Sequence, residues 1–152
     1  MKHILIATDG SELASKAVAE GISLASALGA HITFLTVTAP LASLGDPNHA
    51  FKGMPASVRR DALAYLAGDA DRTLLSAQAA ADSAGIKADV LKVENNHPHE
   101  AIITTAKSTG ADLIIVASHG HSGMKAMLLG SVAQKVLAHS KLPVLVCRHA
   151  SV

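Results

Sequence analysis

Aromatic side chains are nearly absent from this chain: they make up 2% of 152 residues, with no tryptophan, one tyrosine and two phenylalanines. The stacking platforms on which single-stranded nucleic acids lie are therefore missing, and the core is expected to consist of Ala, Val, Leu and Ile. An excess of charge of one sign is lacking as well. Thirteen Lys and Arg against twelve Asp and Glu leave a formal net charge of +1, too little to gather nucleic acid or an anionic membrane surface. The single cysteine, Cys147, excludes an intrachain disulfide and fits a reducing compartment. No stretch approaches the roughly 18 apolar residues a membrane span requires. Met1-Lys2-His3 leads straight into Ile4 to Ala7 and then Asp9, without the pattern of a secretory signal. The expectation is a soluble cytoplasmic protein with no nucleic-acid partner and no membrane partner. Two nucleotide motifs are also missing, G-x-x-x-x-G-K-[ST] and G-x-G-x-x-G, which argues against the common NTPase and dinucleotide folds.

What is present is a regular alternation. His3 to Thr8 reads as a short buried strand, and Asp9-Gly10-Ser11 turns into a helix with Ser11 as N-cap. Ala14, Ala17, Val18, Gly21, Ile22, Ala25 and Leu28 recur at helical steps until Gly29. Ala30 to Val37 is a second strand, followed by Thr38 to Ala56, a stretch long enough to be a flap, although Gly45, Asp46 and Pro47 equally suit a passive turn. Ser57 to Ala84 is a long helix with Ala62, Leu66, Leu74, Ala77, Ala81 and Ala84 on its apolar side and Gly85 at its end. Ile86 to Val93 alternates as an edge strand does, and Pro98 to Thr109 is a shorter helix closed by Gly110. Leu113 to Ala117 is a buried strand. A helix opening at Gly130-Ser131, with Val132, Val136 and Leu137 on one face, runs to Ser140, and Pro143 to Cys147 is the fifth strand. Five strands alternating with four helices imply one domain, residues 1–152: an α/β doubly wound, five-stranded, mostly parallel sheet with helices on both faces.

Ligands of such sheets bind beyond the carboxyl ends of the strands where the strand order reverses. Two loops qualify, Asp9 to Ser11 and Ser118 to Ser131, and they are neighbours if the first and fourth strands pair. In the second, nine residues separate Gly120 from Gly130, and Ser131 opens a helix whose unpaired N–H groups and dipole favour an anion such as phosphate. Gly120, Gly123 and Gly130 equally suit tight turns, and Asp9 equally suits a cap.

The residues Ala117-Ser-His-Gly120, then nine residues, then Gly130-Ser131, together with ILIATDGSELASKA near the start and LLGSVAQKVLAHSKLPVLVCR near the end, resemble the universal stress protein family of the single-domain, nucleotide-binding type. The resemblance covers the whole chain and implies a Rossmann-like fold akin to the adenine nucleotide alpha hydrolases. It implies ATP or AMP as ligand, with Asp9 on ribose or adenine and Val37 and Val116 holding adenine through backbone groups. Gly120, Gly130, Ser131 and the Val132 N–H would surround the phosphates. Ala117 departs from the pattern, standing where the motif has its first glycine; the methyl group costs little only if the backbone there is ordinary β. The alternative is a member that works through protein interfaces without nucleotide.

His119-Gly-His121 and His97-Pro-His99 raise a metal site, but no third ligand stands at matching spacing, so the expectation is no protein metal site. His119, in the phosphate loop, is expected to assist an anionic ligand, with Lys125 a further nearby charge; Mg²⁺ or Mn²⁺ would arrive with the phosphates. No paired carboxylates or Ser-His-Asp order marks an enzyme, although slow ATP hydrolysis is the competing reading. Cys147, in an apolar strand, is expected to be inert. By the resemblance, the strand Pro143 to Cys147 lies at a sheet edge and pairs two copies into a homodimer.

Overall fold

Short aliphatic runs without polar alternation belong in strands covered on both faces, and here they form the middle of a sheet. A computed structural model describes residues 1–40, 51–120 and 128–148. The elements are β1 (His3–Ala7), α1 (Glu12–Leu28), β2 (His31–Thr38), α2 (Ala56–Ser83), β3 (Ala88–Glu94), α3 (Pro98–Thr109), β4 (Leu113–Ala117), α4 (Ser131–His139) and β5 (Val144–Cys147). The strands lie in the order β3-β2-β1-β4-β5, and every neighbouring pair is parallel. The first and fourth strands do pair: Leu5 stands opposite Thr33 on one side and Ile114 on the other.

Each face of the sheet carries two helices. Ile4, Ile6, Phe34 and Ile115 pack against Val18 and Ile22 of α1 and Leu74, Ala77 and Ala81 of α2. Leu5, Leu35, Ile114 and Val116 pack against Ile102 and Ala106 of α3 and Ala133 and Val136 of α4. Small residues let the helices lie low on the strands. A side chain at position 21 would collide with Ile6 Cδ1, so α1 rests directly on β1.

Three helices stop in the same way. Gly29, Gly85 and Gly110 take the left-handed conformation at φ 62°, 72° and 71°, and the next residue donates its N–H to the carbonyl five positions back: Ala30 to Ala25, Ile86 to Ala81 and Ala111 to Ala106, each at 2.9 Å. This explains why β3 starts at Ala88 and not at Ile86, since Ile86 is committed to the helix stop and packs against the core.

The expected apolar faces are too long at their ends. Leu28 is 47% exposed, Leu137 43% exposed, and Ala84 is exposed as well; Ala133 takes the buried place given to Leu137. In α2 Ala70 is the first buried residue among those described, and the Leu66 side chain lies outside them. The cause is the end of the sheet: a Cβ on Gly10, just past β1, would lie 2.5 Å from Thr73 Oγ1, and Asp71 pairs with Lys92 near the end of β3, so the first turns of α2 project past the strands. Of the long connection Thr38 to Ala56, residues 41–50 lie outside the described residues.

The two edges differ. β3 carries Asp89, Lys92 and Glu94, with Lys92 Nζ 2.8 Å from Asp71 Oδ1 of α2. β5, at the other edge, has no charged side chain and leaves Leu145 40% exposed. At the amino ends, Asp112 Oδ2 accepts the N–H groups of Lys2 (2.6 Å) and His3 (3.0 Å), which hold its carboxyl below the usual value and tie the start of β1 to β4. Among the described residues no helix is long and apolar enough to cross a membrane.

Cys147 is buried in β5, where burial, then the neighbouring Glu20 carboxylate, push its thiol up to about 12. A thiolate is needed for reaction with disulfide reagents. The native protein is therefore expected to resist such reagents at about pH 8 and to react once unfolded in guanidinium chloride; rapid labelling of the native form would refute the assignment.

Candidate functional site

The chain leaves β1 through α1 toward β2 and later returns through α3 to β4, on the opposite side of β1. The loops after β1 and β4 therefore diverge onto opposite faces. Between them opens a cleft of about 330 Å³, within the range of small-molecule sites.

Its polar end is built by the two loops. Asp9 Oδ1 accepts the Ser11 N–H at 3.0 Å, and Thr8 Oγ1 lies 3.3 Å from the Gly10 N–H, so the turn is held by its own side chains. Ser11 caps α1 by accepting the Ala14 N–H at 3.2 Å. Across the cleft, Asp9 Oδ2 occupies the space that a side chain on Gly120 would need. Gly130 donates its N–H to Ser118 O at 2.7 Å, and a Cβ there would lie 3.0 Å from that oxygen. Neither Gly120 nor Gly130 has a positive φ; what each provides is close approach. Because Gly130 is the N-cap of α4 and has no side chain to offer, no side-chain cap takes the N–H groups of the first turn. The first turn of α4 is accordingly a donor-rich surface in the cleft, where Ser131 and Val132 also line the wall.

The other end is apolar. Leu35 and Val37 come from β2, Val116 from β4, and Pro98 and Ile102 from α3. Leu35 O accepts the Thr8 N–H at 2.9 Å, so the backbone groups of Leu35 face β1. Two residues on, those of Val37 face the same side, past the point where β1 has ended. A strand edge at such a position presents an N–H and a C=O to a flat ligand. Ala117 sits inside β4 opposite Cys147 without a positive φ, so its methyl group carries no backbone strain.

All nine residues expected at the site, Asp9, Val37, Val116, Ala117, His119, Gly120, Gly130, Ser131 and Val132, line this one cleft. His121, Gly123 and Lys125 lie outside the described residues. Sequence reasoning missed Thr8, Pro98 and Ile102, which line it too, and gave Ser118 only as the start of the second loop. Ile102 had a signal in its helical periodicity, but that marks a buried face and not the cleft. His119 contributes an unusual group. Its Nδ1 lies 3.2 Å from Ser118 Oγ, and its Nε2 is the one buried side-chain polar atom among the described residues without a hydrogen-bond partner.

The second histidine pair joins a cluster of three imidazole rings. The His97 and His99 ring centroids are 6.1 Å apart and those of His99 and His139 5.8 Å, beside Pro98 of the cleft wall. Among the described residues no three His, Cys, Asp or Glu side chains are placed to hold a metal ion.

The sequence profile of the universal stress protein family matches residues 1–148. Universal stress protein YxiE of Bacillus subtilis is 32% identical over 153 aligned positions, covering 95% of this chain and 97% of that one. Among solved structures, protein MJ0577 of Methanocaldococcus jannaschii matches with a TM-score of 0.77 at 26% identity, over 99% of this chain and 98% of its own. A universal stress protein crystallised in complex with cAMP matches with a TM-score of 0.66 at 26% identity, over 97% of this chain and 96% of its own.

His99 is 14% exposed at its side chain, and its burial, followed by the Lys135 ammonium on α4, holds the imidazole below 6.5; Glu100 opposes the shift, and His139 and His97 add to it. The folded protein thus keeps His99 neutral where the unfolded chain takes up a proton. Stability from this group is present above 6.5 and is lost as pH falls toward the lower folded value. Acidification from about pH 7 to 5 is expected to lower the urea midpoint, and His99→Gln to flatten that dependence; identical slopes for the two proteins would count against it.

Proposed function

Since the chain belongs to the universal stress protein family, we propose that its cleft binds an adenine nucleotide, ATP or AMP, and that occupancy of the cleft is what the protein reports to partners in a cellular stress response. The observation that carries this reading is convergence. Residues from β1, β2, β4 and the start of α4, far apart in sequence, meet at the switch point to form one cleft with an apolar slot and a donor-rich end. The slot between Val37, Ile102 and Val116 suits a flat base, Asp9 is placed to accept from a ribose hydroxyl or the adenine amine, and the first turn of α4 suits phosphate oxygens. The similar protein crystallised with cAMP supports the adenosine part of the ligand.

The site is one for binding and not for turnover. Asp9 is the single carboxylate among the described residues lining the cleft, and its Oδ1 already accepts from the backbone of its own turn. His119, the other acid–base group described there, stands at the phosphate end, so no pair of carboxylates among the described residues flanks a position where water would be activated. A Mg²⁺ or Mn²⁺ ion would come with the phosphates, whose oxygens suit both ions. The protein acts in the cytoplasm as a homodimer through Pro143 to Cys147. In support, that edge of the sheet is uncharged, Leu145 is exposed on it, and an uncovered apolar edge invites a second strand. Pairing like strands about a two-fold axis would bury both edges at once.

Calorimetric titration of nucleotide-stripped protein with ATP and AMP is expected to give dissociation constants on the order of micromolar, and Asp9→Ala to weaken both by roughly tenfold or more. Absence of heat at millimolar nucleotide would overturn the reading. Sedimentation at micromolar concentration is expected to give twice the chain mass, and Leu145→Asp, which would place a carboxylate at each side of the joined edge, to give the monomer; a monomeric parent protein would sink the dimer.

A further inference from the structure

Resting on the reading of the cleft as an adenine-nucleotide site, we infer that His119, oriented by Ser118, is the residue that makes the cleft prefer a phosphorylated nucleoside over a bare one. The observation is the buried Nε2 without a partner. Buried polar atoms in folded proteins are nearly always hydrogen-bonded, and each exception calls for a cause.

The surroundings of Ser118 decide which proton the ring carries. Ser118 is 4% exposed, its N–H donates to Cys147 O at 2.9 Å, and its carbonyl accepts the Gly130 N–H at 2.7 Å. Its hydroxyl has His119 Nδ1 at 3.2 Å as its described partner. If Nδ1 carried the proton, the serine O–H would be left without an acceptor and Nε2 without a donor, two unmet groups. If the serine O–H donates to Nδ1, both are met and the proton sits on Nε2, leaving one unmet group, a donor. The second arrangement is the less costly. Ser118 therefore sets His119 as an N–H donor from Nε2.

The position of that donor points to its partner. The Cδ2 atom next to Nε2 lies 3.9 Å from where a Gly130 Cβ would stand, which puts this edge of the ring beside the start of α4, whose first turn has no side-chain cap. Donors gathered at a helix N-terminus call for an anion. An adenosine without phosphate brings no such acceptor to this end of the cleft. Since Nε2 is shut off from water, ligand entry has to open a path to it, and a phosphate oxygen then supplies the acceptor that the unliganded protein lacks.

The test compares adenosine, AMP and ATP by calorimetry on the wild type, His119→Leu and His119→Gln. His119→Leu is expected to weaken AMP and ATP by roughly tenfold or more while leaving adenosine within about twofold, and His119→Gln, which restores an N–H donor, to recover part of the loss. Equal loss for all three ligands, or no loss for any, would overturn the assignment. A wild type that binds adenosine and AMP equally would overturn it too, and one that binds none of the three would remove the nucleotide reading itself. A second readout needs no variant: ¹⁵N-edited NMR of the imidazole should find Nε2 protonated and Nδ1 not in the unliganded protein, with the Nε2 resonance moving on addition of AMP but not of adenosine. Protonation at Nδ1, or the same movement with both ligands, would refute it.

Discussion

The pairing of β1 with both β2 and β4 is the constraint on which the rest of the structure depends. A central parallel strand is covered on both faces and both sides, so the chain can leave it only at its carboxyl end. Here the chain leaves β1 for α1 on one face, and leaves the neighbouring β4 for α4 on the other. Two loops that part company at this point must first pass each other, and they do so at side-chain-less positions. The Asp9 carboxylate fills the volume that a Gly120 side chain would take, and Gly130 comes within hydrogen-bonding distance of the Ser118 carbonyl. Shape and chemistry at the cleft are consequences of strand order.

Most of the fold was legible because the signals were local. Three glycines placed just after amphipathic runs each marked a helix stop, and a hydroxyl at position 11 marked a start. The errors came where a pattern continues past the structure that gives it meaning. The apolar spacing of α2 begins near Ala62, but among the described side chains full burial begins at Ala70, closer to where the helix comes against the strands. Ile86 looks like the first residue of a strand and is spent in closing a helix. At the site, the two loops could be read from glycine and helix-start chemistry, with the nucleotide assignment added by family resemblance. The wall made by Pro98 and Ile102 could not, since it exists only because α3 packs across the end of β2.

Scarcity of aromatics has a counterpart in the packing. Phe34 is fully buried in β2, whereas Tyr65 stands 65% exposed on the projecting part of α2, with the Arg72 guanidinium 4.6 Å from its ring. The interior is assembled from alanine faces on aliphatic strands, which permits close helix-to-sheet distances and leaves little volume that a side chain could vacate. The cleft is correspondingly confined to the strand ends.

The unequal edges of the sheet bear on what the molecule can become in a crowded cell. An edge-to-edge addition at β5 would use the bare edge of both molecules and leave the other side of each outward, where Asp89, Lys92 and Glu94 line β3 and Lys92 is tied to α2. Charged side chains on a border strand discourage further addition. Once the uncharged borders had met, the charges of β3 would discourage further growth along the sheet, so addition at one edge would favour a pair over a fibre.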